Sequence, residues 1–152
     1  HAGSIMSLKA RLTEAMKDAM RAQDKDRLGV VRMALTAFKQ IEVDERIELD
    51  DARSLAVLEK LVKQRRESAT AFEQGGRAEL AAKELAEIAI LQTFLPEPLS
   101  DAELTSLISA AIAETGATSA RDMGKVMNLL RPMVAGRADV GPLSQQVKTR
   151  LS

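Results

Sequence analysis

No cysteine occurs in the chain, which removes disulfides, thiolate metal ligands and a cysteine nucleophile together. Tryptophan and tyrosine are absent too, leaving three phenylalanines as the only aromatic residues. Single-stranded RNA gripped by base stacking needs more platforms than that. Phe38, Phe72 and Phe94 all fit core positions. The one histidine is His1, in a stretch (1–5) that reads as a remnant ahead of Met6. No imidazole is therefore expected in the fold. No apolar run approaches the roughly 20 residues of a membrane span, and no signal-peptide pattern follows Met6. The expectations are a cytoplasmic location and no membrane partner. Net charge is also missing, with 22 basic and 22 acidic residues.

Helical periodicity is what the chain has. Leu8, Leu12, Ala15, Met16 and Ala19 share one face of a first helix. "AQDKDR" interrupts it, with Asp24 as N-cap of a second helix striped by Leu28, Val31, Leu35, Phe38 and Ile41. The acidic "EVDERIELDD" (42–51) reads as a loop closing on Asp50, the next cap. Leu55, Leu58, Leu61, Val62 and Phe72 mark a third helix, stopped by Gly75-Gly76. Leu80, Leu85, Ile88, Leu91 and Leu95 mark a fourth. No segment alternates like a half-buried strand, so the expected fold is all-α.

"LPEPLSDAEL" (95–104) is the clearest boundary. Two prolines stop one helix, Ser100 and Glu103 form a capping box for the next, and Leu99 and Leu104 stand as a hydrophobic staple. The expected organisation is a helical subdomain over 6–95, a linker over 96–99 and a smaller helical subdomain over 100–152. Charge divides there as well. Residues 96–119 hold Glu97, Asp101, Glu103 and Glu114 without a base, a net of −4. Residues 120–152 set Arg121, Lys125, Arg131, Arg137, Lys148 and Arg150 against Asp122 and Asp139, a net of +4.

Within that basic end, "GKVMNLLRPMVAGRAD" (124–139) holds two poor helix formers in a good apolar pattern. On a wheel with Arg121 at zero, Val126, Leu130, Met133, Met123, Val134 and Met127 fall between about 120° and 240°. Gly124, Asn128 and Pro132, spaced i, i+4, i+8, line the opposite face, flanked by Lys125 and Arg131. Glycine admits a close approach, and Pro132 leaves the Asn128 carbonyl without its helical donor. A low strip bordered by cations suits a phosphate backbone. It also suits a simpler reading, in which Pro132 ends the helix and Gly124 is a packing notch. Gly136 is a helix stop, and Arg137, Lys148 and Arg150 add to the basic end.

"MGKVMNLLRPMVAGRAD", with Val147, Lys148 and Leu151, resembles the tail signature of the GatB/YqeY family. "KQRRESATAFEQGGRAEL", "EIAILQTFLPEPLS" and "AETGATSARDMGKVM" extend the resemblance over residues 6 to 152. The resemblance implies an all-helical, two-part protein like the stand-alone YqeY-like members. Related tails sit at the C-terminus of the B subunit of the glutamine-dependent tRNA amidotransferase, where they help hold tRNA, and on some glutaminyl-tRNA synthetases. It also implies the family's association with carbon–nitrogen ligase activity using glutamine as amido-nitrogen donor. Asn128 stands where the family often has another glycine, and Val140 where glycine often follows the aspartate.

The residues do not supply a catalytic core to match. The serines lack a Ser-Lys arrangement, and no glycine-rich loop follows a strand. "GGR" (75–77) opens a helix, which suits an anion but also a plain helix stop. The acidic 42–51 stretch lacks the glycine-centred spacing of a calcium loop. "KQRRES" (63–68) reads as surface charge with a Lys63–Glu67 pair, Arg65 packing its stem and keeping its head in solvent. No cofactor or metal is expected. The leading expectation is an accessory protein binding tRNA or other structured RNA through its tail, beside an amidotransferase or an aminoacyl-tRNA synthetase. The candidate contacts are Arg121, Lys125, Asn128, Arg131, Arg137, Lys148 and Arg150, with Gly124, Pro132 and Gly136 for close approach. The alternatives are a protein adaptor using the Gly124/Asn128/Pro132 strip, and an autonomous amidotransferase.

Overall fold

Ser7, Asp24, Asp50 and Ser100 each turn a side-chain oxygen onto the backbone N–H three residues on, satisfying a donor the helix itself cannot use. In this computed structural model, which describes residues 6–152, those caps open α1 (Leu8–Ala22), α2 (Lys25–Glu45), α3 (Asp51–Gln74) and α5 (Asp101–Thr115). The other helices are α4 (Ala78–Gln92), α6 (Met123–Val134) and α7 (Val140–Arg150), and a 3₁₀ turn over Ala120–Asp122 leads into α6. Among the described residues there is no strand, and the protein is all-α. Residues 1–5, read above as a remnant, lie outside the described part.

The chain forms two compact units, His1–Pro96 and Glu97–Ser152. In the first, α1 packs on α2 and α3 on α4. Leu12, Val31, Ala34, Phe38, Leu58 and Leu91 lie at its centre without exposure. Phe94 is buried with them, and Arg27 stacks over its ring at 4.7 Å; Phe72 is only half-buried.

Three expectations for this unit are corrected. α2 runs on to Glu45 through the start of the expected loop. The Glu42 carboxylate accepts from Lys9 Nζ and from the Leu49 N–H, both at 2.9 Å. Those bonds, the Leu49 N–H first, hold the Glu42 carboxyl below the usual carboxylate range. Leu85 is 49% exposed, and the covered face of α4 is carried by Ala81, Ile88 and Leu91. The five-residue step from Leu80 turns about 140° around a helix, so one contact face does not hold both. Arg65 keeps its head out of solvent: Nε donates to Glu87 at 3.0 Å and Nη1 to the Leu61 carbonyl at 3.1 Å. Among the described residues no Lys63–Glu67 ion pair forms.

Ser54, on α3, is 1% exposed and its hydroxyl has no hydrogen-bond partner. A buried hydroxyl left unpaired costs roughly 1–3 kcal/mol, and alanine is the better helix former. Ser54→Ala is expected to raise stability by about 1 kcal/mol, read as a rightward shift of a urea unfolding curve. A leftward shift would mean that the hydroxyl has a partner in solution.

The second unit is built on α6, which packs against both α5 and α7. Val126, Leu130, Val134, Leu143 and Val147 are fully buried at its centre. The capping box forms in both directions, Glu103 N–H to Ser100 Oγ and Ser100 N–H to Glu103 Oε1, each at 3.1 Å. Leu104 is buried and Leu99 packs against the same core. The Leu99 N–H also donates to the Arg137 carbonyl at 2.9 Å, so the end of the expected linker is fastened to the turn after α6.

Candidate nucleic-acid interface

α6 buries Val126, Met127, Leu130 and Val134. Met133, expected on that face, is 46% exposed; it stands at the stripe's edge, about 60° from Leu130 at its middle. Gly124, Asn128 and Pro132 are all exposed on the opposite face. Gly124 is the second residue of α6, where a backbone N–H has no acceptor within the helix, so its loose backbone weakens little. A Cβ added there would meet no heavy atom within 4 Å. Gly124 is therefore no packing notch. Pro132 lies inside the helix, which continues to Val134, and so does not end it.

The cations differ in how far they are already engaged. Arg121, on the 3₁₀ turn, is exposed and has no side-chain partner among the described residues. Lys125 Nζ stands 3.8 Å from Asp122, with its side chain 70% exposed, a pairing that solvent leaves weak. Asp122 is committed elsewhere. Its carboxylate accepts from the Thr118 N–H at 2.9 Å and the Ser119 N–H at 3.4 Å. The Thr118 bond most of all, then that of Ser119 and the Lys125 charge, holds its carboxyl below the ordinary aspartate range. Arg131 Nη1 donates to Asn128 Oδ1 at 3.0 Å, which lays the guanidinium beside the strip. Asn128 thus positions an arginine.

Arg137 belongs to the scaffold. Its Nε donates to the Glu97 carbonyl at 2.8 Å, and Nη2 stands 3.9 Å from Glu103. Glu103 titrates below the usual glutamate range, chiefly through the Ser100 backbone bond. Gly136 takes φ 74° and is half-buried in the turn between α6 and α7, a conformation that favours glycine. Lys148 is exposed without a side-chain partner among the described residues, and Arg150 Nη2 donates to Ser109 Oγ at 2.7 Å.

Fold geometry sorts these residues. Arg121, Lys125, Asn128 and Arg131 gather with Gly124 and Pro132 along one edge of α6. Lys148 and Arg150 do not join them. α7 packs on the buried face of α6, where Ser144 Oγ lies 3.9 Å from Met127 Sδ, and the strip points away from it. The role of Asp122 was missed from sequence, although its i,i+3 spacing to Lys125 was available as a signal.

An all-helical protein with a small C-terminal helical unit, net neutral as a whole but with cations gathered on α6, is the class these features define. The sequence profile of the Yqey-like protein family matches residues 9–151, and the chain belongs to that family. It is 35% identical over 96 residues to "Altered inheritance of mitochondria protein 41, mitochondrial" of Eremothecium gossypii, covering 62% of this chain and 52% of that one. The protein of that name from Lachancea thermotolerans is 31% identical over 114 residues, 73% of this chain and 61% of the relative. An uncharacterized protein of Schizosaccharomyces pombe is 29% identical over 101 residues, 66% and 82% respectively. The match thus spans little more than half the length of the two mitochondrial relatives.

Proposed function

We propose that this protein is a non-catalytic accessory factor that binds tRNA, or another structured RNA, through its C-terminal unit. The observation that carries the reading is the open face of α6. Three small or short residues leave its backbone approachable, with Arg121, Lys125 and Arg131 exposed around them. Phosphates need charge and room more than shape, and this face offers both. The GatB/YqeY resemblance supplies the direction, towards glutamine-dependent tRNA amidotransfer with an amidotransferase or a synthetase as the working partner. The mitochondrial label belongs to the relatives that carry it in their names, and RNA binding does not depend on the compartment. The strip also has room for a partner helix, which makes an adaptor the second reading. Autonomous amidotransfer stands third, since it needs a nucleophile and base that no side-chain cluster among the described residues suggests.

Salt dependence tests the proposal. The full chain is titrated with tRNA at several salt concentrations, alongside Arg121→Ala and Lys125→Ala. Each variant is expected to weaken binding and to lower the log–log salt slope by about 0.9, one phosphate contact. Neither should move the melting temperature appreciably, since exposed substitutions usually stay within about 0.5 kcal/mol. Unaltered slopes would remove α6 from the interface, and robust glutaminase activity tracking with pure protein would overturn the non-catalytic reading.

A further inference from the structure

Lys25, Arg32, Lys39 and Arg46 recur every seven residues along α2 and its C-cap. Seven residues make almost two helical turns, so successive members shift by only about 20° and stand about 10.5 Å apart. All four are exposed, on the face opposite the buried Val30, Val31, Ala34 and Phe38. Gly29 and Thr36, exposed as well, lie between them. The result is a line about 30 Å long in which long cations alternate with short residues.

Residues 6–96 hold 16 charges of each sign, so the line is a matter of placement. Asp26 and Asp44 stand about 120° around the helix from Arg32, and Asp44 accepts from Gln40 Nε2 at 3.1 Å. Glu42, about 80° the other way, already accepts from the Leu49 N–H and from Lys9, and Lys39 is the weakest pull on it. Among the described residues, none of the four cations donates a side-chain hydrogen bond or forms an ion pair. Gly29 has no packing reason, since a Cβ there would meet no heavy atom within 4 Å. Glycine inside a helix is less stable than alanine, and what it leaves open is a close approach to the backbone.

A small anion engages one or two such charges, whereas a line of them matches a polyanion. Protein interfaces are depleted of lysine and bind through buried aromatic or aliphatic anchors. The one large apolar side chain exposed on this face of α2 is Val43. A helix lying on anionic lipid sinks an apolar face into it, and α2 has its apolar face in the core. A phosphate backbone brings repeated charge and needs room more than shape.

We propose that the outer face of α2 is a second phosphate-backbone contact, through which the N-terminal unit grips the RNA held by the C-terminal one. The inference rests on the RNA reading above and extends it to the other unit. Two contacts joined in one chain hold one RNA more tightly than either alone.

The test compares the full chain with an Arg32→Ala/Lys39→Ala double variant and with Lys63→Ala/Arg66→Ala, which removes two exposed charges from α3 instead. Each is titrated with tRNA and with a fully paired RNA duplex over a range of salt, and melting temperatures serve as the folding control. The α2 variant is expected to bind both RNAs more weakly, with the log–log salt slope lowered by about 1.8, two phosphate contacts. The α3 variant is expected to keep the wild-type slope. Gly29→Leu, which keeps every charge, is expected to weaken binding at a melting temperature held or raised; binding equal to wild type would overturn the close approach at α2. Equal losses in the α2 and α3 variants would overturn the α2 line in favour of a general charge effect. A wild-type slope in the α2 variant, with Lys125→Ala still weakened, would overturn the line and leave the α6 reading intact. No RNA binding by the wild type would overturn both. Unchanged RNA affinity in the α2 variant with loss of binding to phosphatidylserine vesicles, or of a protein partner, would also overturn the α2 proposal.

Discussion

Leu130→Ala is expected to unfold the C-terminal unit while the N-terminal unit stays folded. Leu130 has no exposure and sits among ten buried residues that make the whole core of Glu97–Ser152. Truncating a buried leucine to alanine costs about 2–5 kcal/mol, the transfer term plus the cavity. A unit this small seldom holds more than about 3–5 kcal/mol from one core, so the loss is comparable to its entire stability. The first unit has its own core around Phe38, Leu58 and Leu91 and loses no contact within it. Hydrogen exchange read by mass spectrometry checks this, with protection lost over α5 to α7 and retained over α1 to α4. Uniform loss of protection would show that the two units fold as one. RNA binding should disappear with the C-terminal unit.

Gly124→Leu separates charge from room. The substitution leaves every cation in place, and a side chain there meets no heavy atom within 4 Å of its Cβ. Leucine is favoured over glycine in a helix by up to about 1 kcal/mol, less in the first turn, so thermal stability should hold or rise. The added bulk stands where an RNA backbone would approach. Affinity for tRNA is expected to fall at least tenfold, about 1.4 kcal/mol, while Gly124→Ala falls less. A protein more stable and weaker in binding places Gly124 in the interface. Unchanged tRNA affinity with loss of a protein partner would favour the adaptor instead.

Asp24, Asp50 and Ser100 were legible as caps because capping joins a side chain to backbone three residues away. The Gly124/Asn128/Pro132 alignment was legible for a similar reason, since a helix's period alone puts those positions on one face. Leu85 and Met133 misled for the opposite reason. Periodicity marks an apolar stripe, but the neighbouring helix decides how wide the covered part is. Arg65 finds Glu87 on another helix, and nothing in "KQRRES" points to a partner 22 residues away. Of the candidate contacts, Arg137 and Lys148 looked alike in sequence. Only the turn carrying the Glu97 carbonyl to Arg137 Nε distinguishes a tethered cation from an exposed one.

By itself the sequence determined the helices, their caps, the change of character near Pro96 and the face of α6 that carries no large side chain. Those properties follow from interactions within about four residues and from a fixed helical period. Tertiary structure decided which cations remain available, tying Arg137 to the Glu97 carbonyl and Arg150 to Ser109 while Arg121 and Lys148 stay free of side-chain partners among the described residues. These depend on which helices become neighbours, and that is settled by burial of Val126, Leu130, Leu143 and Val147 in one shared core, a non-directional force that local patterns do not encode.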